Sequence, residues 1–336
     1  MTENLKKDHQ RIREARDPLV GKYVDGEFLI LNWIGKGAFS NVYRAAQTTV
    51  NDRQVALKII RKAQSTHASA KSGLSETNPF EHELHINRLL KHAAVVRVIK
   101  AGRTQNGLDY IAMELVEGDN LEYYLRKADP LSVTDVVDLA DQLLGFVGEM
   151  HEVGCVHCDI KPDNVMFRRA PGGHLRFKIL DLGQARYFNA KDKDRAQFRG
   201  NVVGTPAFIA PEVALGSPPD PLAEIYACGA VLYQALTGTR AVHIERQTVE
   251  EYLAYLRDPD EPIPTHPIAD IRPDVPEELA EIIEAALSRR REDRPQSAAE
   301  MRERILEIAE EGEVDGDDDP GLVDRAKGAF RRLFGR

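Results

Sequence analysis

Residues 222–236 form an apolar stretch whose side chains would surround a helix on nearly every side. Such a helix cannot lie on a protein surface, because it would expose apolar side chains to water along its whole length. It must instead be the centre of a helical domain. The rest of the chain must enclose it, and a length of 336 residues is enough for two packed units.

The sequence before Glu117 has a different pattern, typical of short strands. A helical periodicity through Leu84, Leu89 and Leu90 interrupts them and predicts one helix over residues 80–92. The predicted strands are residues 28–31, 42–45, 55–60, 95–101 and 110–115. We therefore expect an α+β fold, with a small β-rich part followed by a larger α-rich part.

The second part contains three further helical predictions. Ser132, with Asp135 three residues later, resembles a capping box, and the helix it opens should stop at Gly154. Proline and acidic clusters at 258–278 predict loops, and residues 278–308 read as one helix. Residues 310–320 contain seven acidic residues and no basic one, which indicates a solvated linker.

Composition restricts the class of protein. The formal net charge of −9 argues against a nucleic-acid binder, which normally has a basic surface. Neither an 18-residue apolar run nor a secretory signal over residues 1–17 is present, so we expect a cytoplasmic protein. Three cysteines suit a reducing compartment. Cys155 and Cys158 form a C-x-x-C, but no second ligand pair accompanies them, so we interpret the spacing as coincidence.

The first chemical signal is a glycine-containing turn between two strands. Gly35-Lys36-Gly37-Ala38-Phe39-Ser40-Asn41-Val42 lets the backbone approach phosphate oxygens without an intervening Cβ. A strand follows rather than a helix, so it is not a dinucleotide-binding fingerprint. Lys58 lies in a predicted strand twenty-one residues after Gly37. Each feature alone is weak, and each strengthens the other.

The second signal is stronger. His157-Cys158-Asp159-Ile160-Lys161-Pro162-Asp163-Asn164 is followed, seventeen residues after Asn164, by Asp181-Leu182-Gly183. Phosphoryl transfer from ATP requires a carboxylate for the acceptor hydroxyl, metal-holding groups and cations over the developing charge. Asp159 suits the base, Lys161 the transferring phosphate, and Asn164 and Asp181 the oxygen ligands that Mg²⁺ prefers.

Together these residues resemble the eukaryotic-type (Hanks-type) serine/threonine protein kinase family in its bacterial form. The resemblance implies a bilobal fold: an N-terminal extension (1–25), then a kinase domain over 26–309 with N-lobe (26–113), hinge (114–118) and C-lobe (119–309). It further implies ATP with Mg²⁺, or Mn²⁺ as a substitute, and protein substrates bearing serine or threonine.

The resemblance also assigns individual roles. Lys58 would pair with the ATP phosphates and with Glu81 or Glu83, and the nine-residue distance to His92 favours Glu83. Met113 would be the gatekeeper. Ala210-Pro211-Glu212 would close the activation segment, with Arg294 as the partner of Glu212. The residues implied to bind the nucleotide are Ile34, Gly35, Lys36, Gly37, Ala38, Phe39, Ser40, Asn41, Val42, Ala56, Lys58, Met113, Glu114 and Val116.

Four positions depart from the family pattern. Asn87, one turn past Glu83, stands where the family usually places an apolar residue between the lobes. Ser40 replaces the third glycine of the phosphate loop. Cys158 replaces the arginine that binds an activation-loop phosphate, and residues 184–204 contain no serine or threonine, only the hydroxyl of Tyr187. This predicts a kinase that is not switched on by phosphorylation there. Glu224 replaces an aspartate that bonds the catalytic loop, so either the loop shifts or a water intervenes.

Two other functions remain open. A catalytically inactive scaffold with this fold normally lacks the base, the metal aspartate or the strand lysine, and all three are present here. Gly204-Thr205-Pro206 resembles the substrate-docking loop of the family, and Lys161 together with Thr205 resembles serine/threonine rather than tyrosine kinases. A small-molecule kinase would need neither this loop nor the A-P-E segment, because both serve peptide substrates. Residues 65–77 carry six hydroxyls in a predicted loop, which could be autophosphorylated or could be a tether only.

The end of the chain forms a separate pattern. On a helix, apolar residues between Leu322 and Phe334 fall within an arc of ~140°, with basic residues opposite. This basic amphipathic segment (321–336) could lie on an anionic membrane surface, dock into a partner's groove, fold back on the acidic kinase domain, or do nothing. Neither the oligomeric state nor the identity of the substrate can be derived from the sequence.

Overall fold

The computed structural model describes residues 17–37, 40–61, 79–170, 175–188, 205–243 and 248–311. Several predictions lie outside these ranges: the nucleotide contacts of Ala38 and Phe39, the hydroxyl-rich loop at 65–77, most of the acidic linker, and the basic amphipathic segment. The described residues form two compact units. One contains the chain up to Arg88 together with Val96–Glu117, and the other contains Leu89–Val95 and the chain from Gly118 onward.

The first unit is a six-stranded antiparallel sheet with one main helix, of which the sequence predicts the helix and five of the six strands. The strand order is β1-β2-β3-β4-β6-β5. The strands are β1 (Tyr23–Val24), β2 (Phe28–Lys36), β3 (Ser40–Gln47), β4 (Arg53–Ile60), β5 (Val98–Arg103) and β6 (Asp109–Glu114), and the helix is α1 (Pro79–Leu89). Strand β1 lies before residue 26, within the predicted N-terminal extension.

Alternating burial along the strands builds the core of this unit. Phe28, Ile30, Tyr43, Val55 and Leu57 are each 1% exposed or less and pack in one cluster. Because side chains along a strand alternate between faces, one apolar residue in two is enough to cover one side of the sheet. The opposite face of β4 is also buried, which explains why its sequence reads as a nearly continuous apolar run.

Helix α1 ends earlier than the predicted residue 92. The His92 carbonyl accepts from Val95 N at 3.0 Å, and its Nδ1 atom accepts from Ala94 N at 3.2 Å. These bonds form a turn that competes with continued helix.

The second unit is mainly helical. Its helices are α2 (Leu121–Leu125), α3 (Val133–Glu152), α4 (Pro211–Ala214), α5 (Pro221–Thr237), α6 (Val249–Arg257), α7 (Ile268–Ile271), α8 (Glu277–Ala286) and α9 (Ala298–Glu311). Helix α5 is the predicted central helix, and every residue from Ala223 to Thr237 is buried. Helices α3 and α8 pack against α5, and α9 packs against α3.

The ends of α3 follow the sequence signals. Ser132 Oγ accepts from Asp135 N at 3.1 Å, so the predicted N-cap is present. The Asp135 carboxylate does not return to the cap but pairs with Arg169 at 2.8 Å. Gly154 follows the helix with φ of 79°, a left-handed conformation that glycine adopts at little cost.

The single helix predicted over 278–308 is wrong. Helix α8 stops at Ala286 and α9 starts at Ala298, with a short 3₁₀ turn at Arg291–Asp293 between them. Arg294 precedes Pro295 and has an extended backbone with ψ of 156°. A residue before proline is excluded from the helical region by the proline ring. The predicted loop at 258–278 likewise contains the short helix α7.

Short strands in the second unit were not predicted. Strands β7 (Asp119–Asn120), β9 (Val165–Arg169) and β10 (Leu175–Ile179) form a three-stranded antiparallel sheet, and β8 (Cys155–Val156) pairs with β11 (Arg186–Tyr187). Strands β8 and β9 lie on either side of residues 157–164, and strands β10 and β11 lie on either side of Asp181-Leu182-Gly183. Across the described ranges, none of the helices combines the length and the apolar character needed to span a membrane.

A charged cluster ties the edge strands of the first unit together. Lys100 Nζ lies 2.7 Å from Glu27 Oε2 and 2.8 Å from Asp25 Oδ2. Gln47 and Thr49 also donate to Glu27 Oε1. These hydrogen bonds lower the pKa of Glu27 from its ordinary value of 4.5 to about 2, and the one from Lys100 has the largest effect. The ionised carboxylate is therefore favoured in the folded state.

We expect Glu27→Gln to lower the free energy of unfolding by about 1 kcal/mol at pH 7, after allowing for solvent screening. Because the folded-state pKa is depressed, this contribution is complete above the unfolded-state pKa and is lost as the pH falls towards the folded-state pKa. The difference from wild type in urea unfolding should therefore shrink between pH 5 and pH 3. Glu117→Gln, at a 76%-exposed glutamate of the same unit, is the control and should change little. A pH-independent effect would contradict this account.

Candidate functional site

The sequence-predicted site residues fall into two groups, one in each unit. In the first unit, Lys58 lies on β4, opposite Val42 on β3 and Ile111 on β6. Its Nζ atom is 2.7 Å from Glu83 Oε1 and 2.8 Å from Oε2. Both side chains are nearly buried, at 9% and 12% exposure. Of the two candidate glutamates of α1, the structure therefore pairs Glu83 with the lysine.

The glycine-containing turn connects β2 and β3. Gly37 N donates to Ser40 O at 3.0 Å, and a Cβ built on Gly37 would lie only 2.7 Å from Ser40 Oγ. Any larger residue at 37 would therefore displace the Ser40 side chain, which is 2% exposed. Ser40, which replaces the third glycine, is the first residue of β3, and its hydroxyl lies close to Gly37.

The predicted adenine-binding residues follow from the register of the sheet. Ala56 on β4 is directly opposite Met113 on β6, so these two residues are neighbours in the strand pair. The Glu114 side chain turns back to accept from Arg97 N at 2.9 Å. The carboxylate is thus engaged within the unit, which fits a role for the backbone at this position rather than for the charge. Ile34 is 40% exposed.

In the second unit, three polar side chains contact the Asp159 carboxylate. Asn164 Nδ2 donates to Oδ2 at 3.1 Å and to the Asp159 carbonyl at 2.8 Å. Lys161 Nζ is 2.8 Å from Oδ2, and Thr205 Oγ1 donates to Oδ1 at 3.0 Å. Lys161 Nζ also donates to Thr205 Oγ1 at 2.9 Å. The aspartate is 6% exposed and held in one orientation.

His157 was quoted only as part of the motif, yet it connects two parts of the site. Its Nε2 atom is 3.1 Å from the Leu180 carbonyl, and Asp159 N donates to its Nδ1 at 3.3 Å. Only one neutral tautomer satisfies both bonds, with the proton on Nε2. The ring is fully buried and has Phe146 beside it. Asp159 and the residue preceding Asp181 are thereby held by the same imidazole.

The two predicted metal ligands are connected through the backbone, because Leu180 N donates to Asn164 O at 2.8 Å. Asp181 has a left-handed backbone with φ of 62°, and its Oδ1 accepts from Gly183 N at 3.2 Å. Asn164 uses Nδ2 on Asp159, which directs its amide oxygen to the other side. Both residues present hard oxygen donors, so the pair fits the divalent metal ion that the family resemblance implies.

Glu224 on α5 contacts the catalytic loop directly. Its Oε1 atom accepts from His157 N at 2.7 Å and from Cys158 N at 3.1 Å. Of the two alternatives drawn from the sequence, an intervening water is not needed, since the glutamate reaches both N–H groups itself. Its Oε2 atom is 3.0 Å from His151 Nε2, a contact that the sequence analysis missed. The only available signal was a histidine three residues before Gly154.

The thiols of the C-x-x-C are not activated. Burial raises the pKa of Cys155 to about 11 and raises that of Cys158 further. The two sulfur atoms lie near the carbonyls of Val153 and Val156, within the distance of weak hydrogen bonds. A thiol needs a lowered pKa to be nucleophilic at neutral pH. Cys158 therefore contributes an uncharged, short side chain next to Asp159.

A cavity of about 40 Å³ lies beside this loop, lined by Cys158, Asp159, Thr205 and Glu224 among others. It has room for about three water molecules and is far too small for a nucleotide.

Arg294 forms a bidentate pair with Glu212, with both hydrogen bonds at 2.8 Å, and its side chain is fully buried. Arg294 and the A-P-E segment thus meet as the resemblance implied.

Comparison with known proteins identifies the family of this chain. The protein kinase domain family matches residues 28–305, so the chain belongs to that family. It is similar to the serine/threonine-protein kinase pkn3 of Myxococcus xanthus, with 30% identity over 296 residues that cover 88% of this chain and 52% of pkn3. The resemblance to the bacterial serine/threonine kinases, stated from the motifs alone, is confirmed.

Two other relatives give the same result. PknK of Mycobacterium tuberculosis is 30% identical over 315 residues, covering 93% of this chain and 26% of PknK. Pkn1 of Myxococcus xanthus is 31% identical over 296 residues, covering 88% of this chain and 40% of Pkn1. The chain thus spans between about a quarter and about half of the length of these relatives.

Proposed function

We propose that this protein transfers the γ-phosphate of ATP to serine and threonine hydroxyls of protein substrates, and to its own. The arrangement around Asp159 carries this proposal. A buried carboxylate contacted by a lysine, an asparagine and a threonine is what in-line phosphoryl transfer to a hydroxyl requires. Membership of the protein kinase family supports the same reaction.

In the proposed mechanism, Asp159 orients the acceptor hydroxyl and accepts its proton as the hydroxyl oxygen bonds to the γ-phosphorus of ATP. The bond from that phosphorus to the β–γ bridging oxygen breaks, and ADP is the leaving group. Lys161, held between Asp159 and Thr205, places a positive charge where negative charge develops on the transferred group. In the first unit, Glu83 fixes the Lys58 ammonium so that it can bind phosphate oxygens. Asn164 and Asp181 would hold a divalent ion, which when bound neutralises phosphate charge.

The preference for serine and threonine rests on Lys161 and Thr205. Both residues resemble the serine/threonine kinases, and their contact of 2.9 Å supports a shared role beside the base. We propose Mg²⁺ as the physiological ion, with Mn²⁺ as a substitute, because both prefer oxygen ligands. We further propose a cytoplasmic location and a role in signalling.

The alternatives are less well supported. An inactive scaffold would not need Asp159, Asp181 and the buried Lys58–Glu83 pair together. A small-molecule kinase would not need Thr205 on the base or the Glu212–Arg294 pair, which secures the segment that receives a peptide.

The ends of the activation segment are held without phosphate. At one end, β11 pairs with β8, and Phe188 N donates to Gly154 O at 3.0 Å. At the other end, Thr205 bonds to Asp159 and Lys161. Tyr187, the only hydroxyl over 184–204, interacts through that hydroxyl with Cys155. These contacts support activity that is independent of phosphorylation there.

We expect Lys58→Ala and Asp181→Asn each to reduce the rate of ³²P transfer by a factor of about 100 or more, which is about 3 kcal/mol of transition-state stabilisation. The variants should remain folded, as measured by circular dichroism, although Lys58→Ala should lower the free energy of unfolding because it removes the ammonium that pairs with the buried Glu83 carboxylate. Lys22→Ala and Asp129→Asn, at exposed positions, are the matched controls and should retain full activity. A Lys58 or Asp181 variant with most of its activity would refute the assigned role.

We expect turnover to remain within a few-fold after phosphatase treatment, in wild type and in Tyr187→Phe alike. Cys158 carries no charge that could bind a loop phosphate, so removing such a phosphate should have no effect. Turnover is measured with a generic protein substrate, and phosphorylated positions are mapped by mass spectrometry. A loss of tenfold or more, traced to residues 184–205, would contradict the proposal. Sites mapped within 65–77 would leave it intact.

We also propose that the segment Leu322–Phe334 binds an anionic, partly apolar surface. Either lipid headgroups or an acidic protein could provide such a surface. The full chain should sediment with vesicles containing phosphatidylserine, whereas Phe330→Gln/Phe334→Gln should not, because the apolar face is interrupted. Neutral phosphatidylcholine vesicles are the control. Equal sedimentation of both proteins would rule out the membrane. Equal kinase rates would then rule out binding to this chain's own kinase domain.

A further inference from the structure

Glu224 is the group that fixes the backbone immediately before the catalytic base. Its carboxylate is 4% exposed and accepts from the N–H groups of His157 and Cys158. Cys158 has a φ of 66°. A left-handed backbone is strained for a residue with a Cβ, and it persists only when surrounding contacts impose it. The two hydrogen bonds to Glu224 Oε1 are such contacts.

Glutamate needs help to perform this task. Its side chain has one more rotatable bond than aspartate, so the carboxylate can turn away from the loop unless its second oxygen is also held. His151 supplies that contact from the last turn of α3, where its Nε2 atom lies 3.0 Å from Glu224 Oε2. An ionised carboxylate can only accept, so Nε2 donates the proton.

His151 is itself held in place. Its side chain is 13% exposed, and its ring meets the ring of Phe188 edge-on, with centroids 6.3 Å apart and an interplanar angle of 87°. Phe188 directly follows β11, and its N–H donates to Gly154 O. The imidazole therefore lies between the activation segment on one side and Glu224 on the other.

We propose that His151 is a positioning residue for phosphoryl transfer: by donating to Glu224 Oε2, it orients the carboxylate that imposes the left-handed backbone of Cys158 and so aims Asp159. The inference rests on the proposed kinase activity. It assigns His151 no contact with ATP, metal or substrate. Its loss should therefore lower kcat and leave the KM for ATP nearly unchanged.

Two substitutions separate the hydrogen bond from the packing. His151→Phe keeps an aromatic ring against Phe188 and removes the donor. His151→Gln keeps an N–H donor at a similar reach and removes the ring. We expect His151→Phe to lower kcat about tenfold, with the KM for ATP within twofold of wild type. We expect His151→Gln to retain at least a third of the wild-type kcat.

A hydrogen-exchange measurement tests the same proposal without relying on activity. The His157 and Cys158 amides donate to Glu224, so their exchange in the full chain should be at least tenfold faster in His151→Phe and close to wild type in His151→Gln. The control is Tyr233→Phe, which removes the hydrogen bond from Tyr233 Oη to His266 O. Tyr233 is on the same helix as Glu224 but nearer its other end. The substitution should leave both kcat and these amides unchanged.

The results that would overturn the proposal are specific. A kcat for His151→Phe within twofold of wild type would do so, as would equal losses in the phenylalanine and glutamine variants, which would indicate packing alone. If wild type transferred no phosphate, the proposed kinase function would fail separately. The exchange of the His157 and Cys158 amides would then decide the role of His151 by itself.

Discussion

The conformation of the catalytic loop depends on the hydrogen bonds that the Glu224 carboxylate accepts. A helix enclosed on all sides cannot expose a charge to water, so a glutamate within it must find donors inside the protein. The donors are two backbone N–H groups and one imidazole. Burial of a single charge in α5 thereby determines the backbone just before Asp159, and with it the direction of the proposed base.

The first unit uses the same principle on a sheet. Lys58 lies on β4, which is buried on both faces, so an unpaired ammonium there would be costly, and Glu83 of α1 pairs with it. The pair depends on the strand register, because a shift by one residue would move Lys58 to the opposite face. A glycine at 37 with a buried serine at 40 closes the neighbouring turn. Both groups of site residues are thus organised by satisfying buried polar groups.

The departures from the kinase pattern form a consistent set. Cys158 is neutral, the segment after Asp181 lacks serine and threonine, and the described ends of that segment are held by strand pairing and by Thr205. A loop phosphate would have no arginine at 158 to bind. The longer Glu224 is accommodated because His151 takes its second oxygen. The departures at 158 and 224 are therefore each matched by a neighbouring feature of the second unit.

Much of the fold could be predicted from local patterns. Alternation identified most strands of the first unit, continuous burial identified α5, and Ser132 and Gly154 marked the ends of α3. Prediction failed where a local pattern met a nonlocal constraint. Residues 278–308 have helical composition throughout, but Pro295 interrupts them, and the Arg294 guanidinium pairs with Glu212. Strands β7, β8 and β11 contain two residues each, too few to give a period. Strand β10 does alternate between buried and more exposed residues over its five positions, and the sequence analysis missed it.

The sequence by itself determined the chemistry, because the residue types and spacing of Lys58, Asp159, Asn164 and Asp181 leave few reactions that could use them. It also determined that a helix must be buried, since apolar side chains surround it. Only the tertiary structure decided which glutamate pairs with Lys58, that Glu224 reaches the loop without water, and that His151 and His157 serve it. Those contacts join residues 25, 67 and 73 positions apart, and one between His157 and Leu180 spans 23. Hydrogen-bond partners so far apart are set by how helices and strands pack, which no local pattern encodes.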